Sequence, residues 1–506
     1  MKIQSASYNP FSDVRRTDFK VVFEVVDTNA KGAAQFSASE AAFGDLSHFQ
    51  DEKSTEKYFP ALEHNLWLLN GSGNILSDNE NVGWWSATMS NDNAEYTAPP
   101  YISVYFGGIA ISTVGLSINF DPGANQYPTK VRLTTYGADS STVINSAVFD
   151  NDTPTAVFDF PSENYYHLKI EFLAAKQPSR RVRVSEIVFG VIQRYNADNV
   201  EKIKLKQSAS AAAESIASTQ LELTIDNSER QYDLLAPQNI FAFLQDGKQE
   251  MKMSAVVNGE EVDMGFVYYT SAKAGDGGMT ATITGNDRMI QLDNVTVSGK
   301  NGTSTLQTLV NEILDGTGIS AEFEGNLGAT AVNMAIPENT RKREALRLLA
   351  QASACTAWMK LDGVLHFGNL PVASSEVQTL TGDDLYNFNG ISISNKVDAV
   401  LLKVRNSYAN TEAEYLAGEG TNVKTVNNPC VYSDNGQYVA NWLLECYQRR
   451  RNYAVSNQGD PALEIGDTVK IYDAYGQNLN AAMTGFTLTF GGAIEIVTNA
   501  LGGVDA

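Results

Sequence analysis

Between Tyr96 and Phe120 the chain runs for 25 residues without a charged side chain. A membrane-spanning helix needs about 20 consecutive apolar residues, so length alone would permit one here. The residues themselves do not. Pro99-Pro100 and Gly107-Gly108 break the run, and apolar residues alternating with Ser and Thr keep the two-residue period of a strand. The stretch therefore reads as core strands, and the chain as soluble. The same texture extends outward over residues 58–193, with Lys130–Tyr136, Val157–Phe160, Tyr166–Phe172 and Val182–Phe189 separated by Gly, Asn, Asp and Pro. Turn signals about ten residues apart, with no helical period between them, predict a sandwich or jelly roll.

A chain of 506 residues with 43% hydrophobic and 19% charged side chains can bury several cores, about three domains by length. Upstream, Phe19–Asp27 reads as a strand. From about 199 to 300 the pattern stays β-rich, as in Leu221-Glu222-Leu223-Thr224-Ile225, and Ala209–Ala217 reads as a loop or small helical turn. The period changes at 303. Leu306, Leu309, Val310, Ile313 and Leu314 mark one face of a helix, with Thr303 or Ser304 as its cap and Gly316 as its stop. A second helix follows Asn339-Thr340, and a third covers about 437–451. Asp362-Gly363 between Trp358–Leu361 and Val364–Phe367 predicts a hairpin with a type I′ turn. The chain returns to β structure through Leu463–Ile471 and Phe486–Phe490. No repeat of fixed period is visible, which removes solenoids and propellers.

Charge and cysteine content narrow the function. With 37 basic against 59 acidic residues the net charge is −22, a poor match for a phosphate backbone, and nucleic-acid binding is not expected. Cys355, Cys430 and Cys446 form no CxxC, and His48, His64, His167 and His366 are scattered, so no zinc template or disulfide scaffold emerges. Met1-Lys2-Ile3-Gln4-Ser5 lacks the apolar segment of a secretory signal. His366 sits opposite Leu365 and Phe367 on its strand and reads as a partly exposed strand histidine; His64 beside Glu63 faces the other way. Asp383-Asp384 is a carboxylate pair of the sort chance supplies among 59 acids, and Asp150-Asn151-Asp152 lacks the glycine and distal glutamate of a calcium loop. No catalytic, cofactor-binding or metal-ligating residue is assigned, no cofactor is expected, and the chain reads as no enzyme. Three basic clusters stand out: Arg180-Arg181-Val182-Arg183, Arg341-Lys342-Arg343 and Arg449-Arg450-Arg451. They are either solvated faces with local ion pairs or contacts to an acidic partner.

Two stretches carry a resemblance. Lys57–Ser72 with Gly83-Trp84-Trp85-Ser86 resembles the segment that opens a discoidin-like (coagulation-factor C-type) jelly roll in tail proteins of phages infecting Gram-positive bacteria. Residues 200–500, marked by Leu221–Asn227, the helix at 303–315 with Gly316-Thr317-Gly318-Ile319, the unit 340–367 and Leu463–Val469, resemble the tail or baseplate hub of tailed phages and related contractile injection particles. The resemblance implies a mainly β (α+β) fold of hub β-barrels with an inserted galactose-binding-like β-sandwich. It places first hub strands at 1–57, the jelly roll at 58–195, the rest of the first barrel at 196–300, an α/β domain at 301–375 and a second β-rich domain with one helix at 376–506.

It also implies a structural virion protein at the tail tip or baseplate, made in the host cytoplasm. As a homotrimer it would join tube, distal tail and spike or fibre proteins, with a possible glycan-binding accessory domain for host attachment. The alternative is a carbohydrate-binding adhesin or carbohydrate-active enzyme with a binding module. Ligand-binding residues are not assigned. Trp84 and Trp85 are candidate stacking platforms, though a tryptophan at this place in such folds is usually core. Three copies would carry about −66, fitting an acidic lining along the route of DNA. Arg180, Arg341 and Arg449 would then face neighbouring subunits or the outer surface.

Overall fold

The computed structural model describes residues 9–11, 15–26, 28–41, 43–44, 46, 59, 63, 66, 73, 82–121, 123–197, 200–228, 250–370, 378–380, 385–472 and 478–503. It is mainly β with a few helices, as the strand texture of the sequence predicts. Two compact units divide the chain: Glu24–Gln193, and Met1–Phe23 together with Arg194–Ala506.

The smaller unit is a sandwich of antiparallel strands. One sheet runs in the order Gln35–Ala38, Tyr101–Tyr105, His167–Ala175, Pro128–Tyr136, Val143–Asp150. Facing it are Thr155–Tyr165, Ile111–Asn119 and Glu186–Tyr195, with Trp84–Met89 between Arg181–Val184 and Phe43–Gly44 in a further small sheet. Alternation explains the layering. Leu168, Ile170 and Phe172 enter one core with Val131, Leu133, Ile118, Phe158 and Phe189, while His167, Lys169 and Glu171 take the other face. The uncharged run of 96–120 supplies two of these strands, Tyr101–Tyr105 and Ile111–Asn119. The unit begins near residue 24, earlier than the boundary of 58 read from sequence, because Gln35–Ala38 pairs with Tyr101–Tyr105 and Phe43 with Trp85. Gly83 is needed for close approach: its φ is +66°, and a Cβ there would overlap the carbonyl oxygen of Val184.

In the larger unit one antiparallel path runs Leu385–Ile393, Arg451–Asn457, Ile494–Leu501, Asn478–Phe490, Val200–Ser208, Gln220–Asp226, Thr280–Asn286, Glu260–Gly275, Glu250–Val257, Thr17–Val26. Strand Val200–Ser208 pairs with Asn478–Phe490 on one edge and Gln220–Asp226 on the other. The β-rich segments expected as 196–300 and 376–506 are thus hydrogen-bonded into one sheet. Within this path, Thr17 to Phe23 pair in register with Val257 to Met251.

Three helices of this unit follow the sequence periods. Leu306–Leu314 buries all five residues of the predicted stripe, but Thr305, and not Thr303 or Ser304, accepts the capping bond from the Thr308 N–H at 3.3 Å. Lys342–Ala352 begins after Arg341, and Gly436–Gln448 stops before the arginine triplet. All three share one core with Phe367, Leu365, Val400, Leu402 and Ala417, so the expected 375/376 boundary cuts through a single apolar cluster. The hairpin Thr356–Met359 to Val364–Gly368 forms where expected, with a different turn. Gly363 has φ +81° whereas Asp362 does not take a positive φ, and the Gly363 N–H donates to the Lys360 carbonyl at 3.0 Å. This is a type I turn closed by a left-handed glycine, which a three-residue loop prefers over type I′.

Candidate functional site

Register assembles a polar cluster that no single segment announces. Ser320–Phe323 runs parallel to Val364–Gly368, which sets Glu322 beside His366; Thr356–Met359 runs antiparallel on the other side, which sets Trp358 beside His366. Side chains in one row across a sheet share a face. His366 Nδ1 lies 2.7 Å from Glu322 Oε1, and the imidazole packs on the Trp358 ring with centroids 4.4 Å apart. Two residues beyond Trp358, on the same face, Lys360 Nζ reaches Glu322 at 3.2 Å and Asp362 at 3.4 Å. Burial pulls the Glu322 carboxyl up, but hydrogen bonds from His366 and Lys360 outweigh it and hold the group below its ordinary value. Burial likewise pulls Lys360 down, and Glu322 and Asp362 outweigh it and raise the ammonium.

Glu322, Trp358, Lys360 and His366 line a cleft of about 510 Å³ with Glu324, Glu464 and Ile465. A carboxylate–imidazole pair orients a base for nucleophilic catalysis only when a hydroxyl or thiol stands next to it. Among the described residues that line this cleft there is no Ser, Thr or Cys. Cys355, nearby in sequence, is fully buried, its thiol bonded to the Ala350 carbonyl and pushed up by burial. The geometry is that of a cross-strand polar clasp. Sequence placed His366 correctly on the half-exposed face but could not pair it with Glu322, since that pairing is parallel and 44 residues distant.

Of the three arginines expected at interfaces or on the outer surface, Arg180 and Arg449 are buried within the chain, which corrects their placement, while Arg341 is exposed. Arg183 is 1% exposed at its side chain, with its guanidinium 2.5 Å from Glu63, 2.6 Å from Asp121 and 3.9 Å from the centre of the Trp85 ring. Arg180 is buried, its guanidinium donating to Gln177 Oε1 at 2.8 Å. Arg449 is buried too, and donates to the carbonyls of Gly502, Leu370 and Leu501. Arg343 pairs with Asp293 at 2.7 Å. Arg341 is the member that stays exposed. The reason is stereochemical: a guanidinium carries five donors in a rigid fork and satisfies several carbonyls or carboxylates at once, which makes it usable inside a β fold.

Trp84 and Trp85 are buried, 0% and 4% exposed, so neither ring is a platform for a ligand. Trp84 donates its indole N–H to the Glu40 carbonyl at 2.6 Å and stacks near Phe172. The Asn151 amide donates to the Thr153 carbonyl within a turn and to the Pro128 carbonyl of the neighbouring strand, which leaves Asp150-Asn151-Asp152 as a turn motif. No group of three metal-ligating side chains occurs among the described residues. His48, His64 and Asp383-Asp384 lie outside the described residues, as does most of Lys57–Ser72. No described helix is long and apolar enough to cross a membrane.

A second surface, absent from the sequence reading, is the outer face of the five-stranded sheet. There Tyr105, His167 and Tyr136 occupy one row across three strands. The His167 ring lies between the two tyrosines, 4.2 Å from Tyr105 at 6° and 4.9 Å from Tyr136 at 19°. The signal that could have found it is the alternation His167, Lys169, Glu171 read together with Tyr101, Ser103, Tyr105.

No protein-family model matches the chain, and no curated protein matches it. Among solved structures it is similar to the 43 kDa tail protein of prophage MuSo2 from Shewanella oneidensis, at 14% identity and TM-score 0.44, covering 61% of this chain and 94% of that one. It is also similar to a tail protein from Neisseria meningitidis MC58, at 12% identity and TM-score 0.44, covering 62% and 93%. A third is the E. coli c3393 protein, described as a type VI secretion component similar to T4 tail proteins gp27 and gp5, at 11% identity and TM-score 0.40, covering 61% and 76%.

Proposed function

We propose that the chain is a structural protein of a phage-like tail: a hub at the tail tip or baseplate, trimeric, joining the tube to a spike or fibres. On this reading the unit of residues 24–193 is a discoidin-like accessory domain, inserted into the hub, that binds a glycan at the cell surface. The observation that carries the reading is the interrupted sheet. Thr17 to Phe23 pair with Met251 to Val257, although a compact β unit of about 170 residues intervenes in the chain. A sheet that takes in its own N-terminal strand can host such a unit without losing strand order, which suits a scaffold that carries an accessory module. The polar clasp at Glu322 and His366 fits the same reading, since it ties three strands together.

The test is mass in solution together with location. Native mass spectrometry of the purified chain should give three times the chain mass, alone or with a tube partner. Labelled antibody should decorate one end of the tail in electron micrographs. A strict monomer that binds no tail protein, or label spread along the whole tail, would sink the hub reading.

A further inference from the structure

We infer that Asn301 is a site of spontaneous covalent modification, which converts it with age to aspartate and isoaspartate and loosens the strand ladder beside it. The inference concerns the chain's own chemistry and stands apart from the tail reading.

The reaction sets the requirements. A backbone nitrogen loses its proton and attacks the Cγ of the preceding asparagine. The Cγ–Nδ2 bond breaks, ammonia leaves, and a five-membered imide remains. Water then opens the imide at Cγ, giving aspartate, or at the main-chain carbonyl, giving isoaspartate. One water is consumed and one ammonia released. The attacking nitrogen must be unshielded and its N–H free of a hydrogen-bond partner, and the asparagine amide must be able to turn. A following glycine shields least, because it has no Cβ.

Three Asn-Gly pairs lie among the residues whose side chains are described: Asn258-Gly259, Asn301-Gly302 and Asn435-Gly436. The fold holds two of them. The Asn258 amide donates to the Asn9 carbonyl at 3.2 Å and accepts from the Arg16 N–H at 2.9 Å. Its backbone is fixed in a tight hairpin turn, with φ +53° at Asn258 and +88° at Gly259. The Asn435 amide donates to the Ala331 carbonyl at 3.1 Å, and the Gly436 N–H donates to the Ser433 carbonyl at the start of a helix.

Asn301 is held by neither device. The Lys300 N–H donates to the Met334 carbonyl at 2.9 Å and the Met334 N–H donates to the Gly302 carbonyl at 2.9 Å, so Asn301 bulges out between two rungs. It is exposed, and among the described residues neither its side-chain amide nor the Gly302 N–H has a hydrogen-bond partner. The place of the site gives the reaction a consequence. Isoaspartate routes the main chain through the former side chain, one carbon longer, between the two rungs that Met334 makes. The residues that follow, Thr303–Thr305, pair with Ala331–Asn333, and Thr305 caps the helix Leu306–Leu314. The lengthened chain strains both rungs at the root of that strand and helix.

The purified full chain, aged at 37 °C in mildly alkaline buffer, is sampled over weeks by peptide mapping with mass detection. Asn301 should deamidate at least tenfold faster than Asn258 and Asn435. Isoaspartyl methyltransferase should label the same peptide, and Asn301→Gln should remove that label with no change in melting. In the urea-unfolded chain the three pairs should react at similar rates, which assigns the difference to the fold. In the aged fraction, hydrogen exchange should quicken at the Lys300 and Met334 amides. Equal rates at the three asparagines of the native chain would overturn the inference, as would an Asn301 equally favoured in the unfolded chain. Unchanged exchange at Lys300 and Met334 in a fully converted sample would overturn the loosening.

Discussion

Arg183→Met is the substitution whose cost the structure specifies best. The methionine keeps the length of the side chain and removes its charge, leaving Glu63 and Asp121 in a site where their side chains are 0% and 9% exposed. Each carboxylate retains one backbone donor, Arg181 N–H at 2.8 Å for Glu63 and Ala124 N–H at 2.9 Å for Asp121. Neither keeps a cation, and Trp85 loses the guanidinium above its ring. Removing one partner of a buried ion pair costs about 3–5 kcal/mol, because the remaining charge is stranded in a poorly solvated place. For a unit of roughly 170 residues, at about 2–4 °C per kcal/mol, the melting midpoint should fall by roughly 6–20 °C. Differential scanning calorimetry of the full chain reads this directly. A control separates stranded charge from lost packing: Glu63→Gln and Asp121→Asn added to Arg183→Met should recover most of the loss, since an uncharged cluster of similar volume is often near neutral. A single variant melting within about 2 °C of wild type would refute the reasoning, placing the cluster in effect among exposed pairs worth under about 1 kcal/mol.

Further outcomes follow from the same fold. Trp85→Ala should cost about 3–5 kcal/mol in a chemical denaturation series, the range for a large aromatic removed from a core, with the loss seen as unfolding before any change in ligand affinity. Gly265→Ala should destabilise the larger unit by more than about 1 kcal/mol, because Gly265 has φ +76° and a Cβ would overlap the Leu361 carbonyl oxygen; an unchanged urea midpoint would show that this approach relaxes freely. Burial pushes the Cys430 and Cys446 thiols up to about 12 and Cys355 higher still, so at pH 8 the native chain should react with a disulfide reagent far more slowly than the denatured chain, in which all three thiols titrate. Asp139 accepts from the Thr142 N–H at 2.8 Å, the Thr142 hydroxyl at 2.7 Å and the Ser141 N–H at 3.0 Å, and these bonds, Thr142 first, hold its carboxyl well below the usual carboxylate range. Its contribution to folding is therefore present above the unfolded value near ~3.9 and lost as pH falls through the lower folded value. Carbon-detected NMR should find Asp139 still ionised at pH 3; a midpoint near 4 would mean the turn is open in solution.

What sequence could reach was set by range. Periodicity is a property of neighbouring residues, so the stripe from Leu306 to Leu314, the alternation of Leu221–Ile225 and the strand character of the uncharged run were all legible. Even there the ends depended on tertiary context: Thr305 caps in place of Thr303 or Ser304 because Thr303–Thr305 is itself a short strand paired with Ala331–Asn333. Pairings between distant strands left no local trace. Nothing near His366 names Glu322, and nothing near Tyr105 names His167, because register between strands 44 and 62 residues apart is decided by which faces reach the core.

The arginines show the limit most clearly. A run such as Arg180-Arg181-Val182-Arg183 in a chain of charge −22 invites a reading in terms of partners, since composition treats every cation as surface. In the fold, this strand is covered on both faces: Val182 and Val184 enter the sandwich core while Arg183, on the opposite face, is buried against Trp85, and the carboxylates that meet it come from 62 and 120 residues away. A charge with its own buried counter-charges exerts little field outside the chain. Electrostatic steering of a partner must then arise from residues such as Arg341, which remain exposed, and an acidic lining in an assembled ring would need no compensation from the buried clusters. Arg341→Glu should accordingly change association kinetics and their salt dependence, while Arg183→Met and Arg449→Met act through stability alone. An Arg341→Glu chain that assembles at the wild-type rate at low salt would leave partner recognition to uncharged surface.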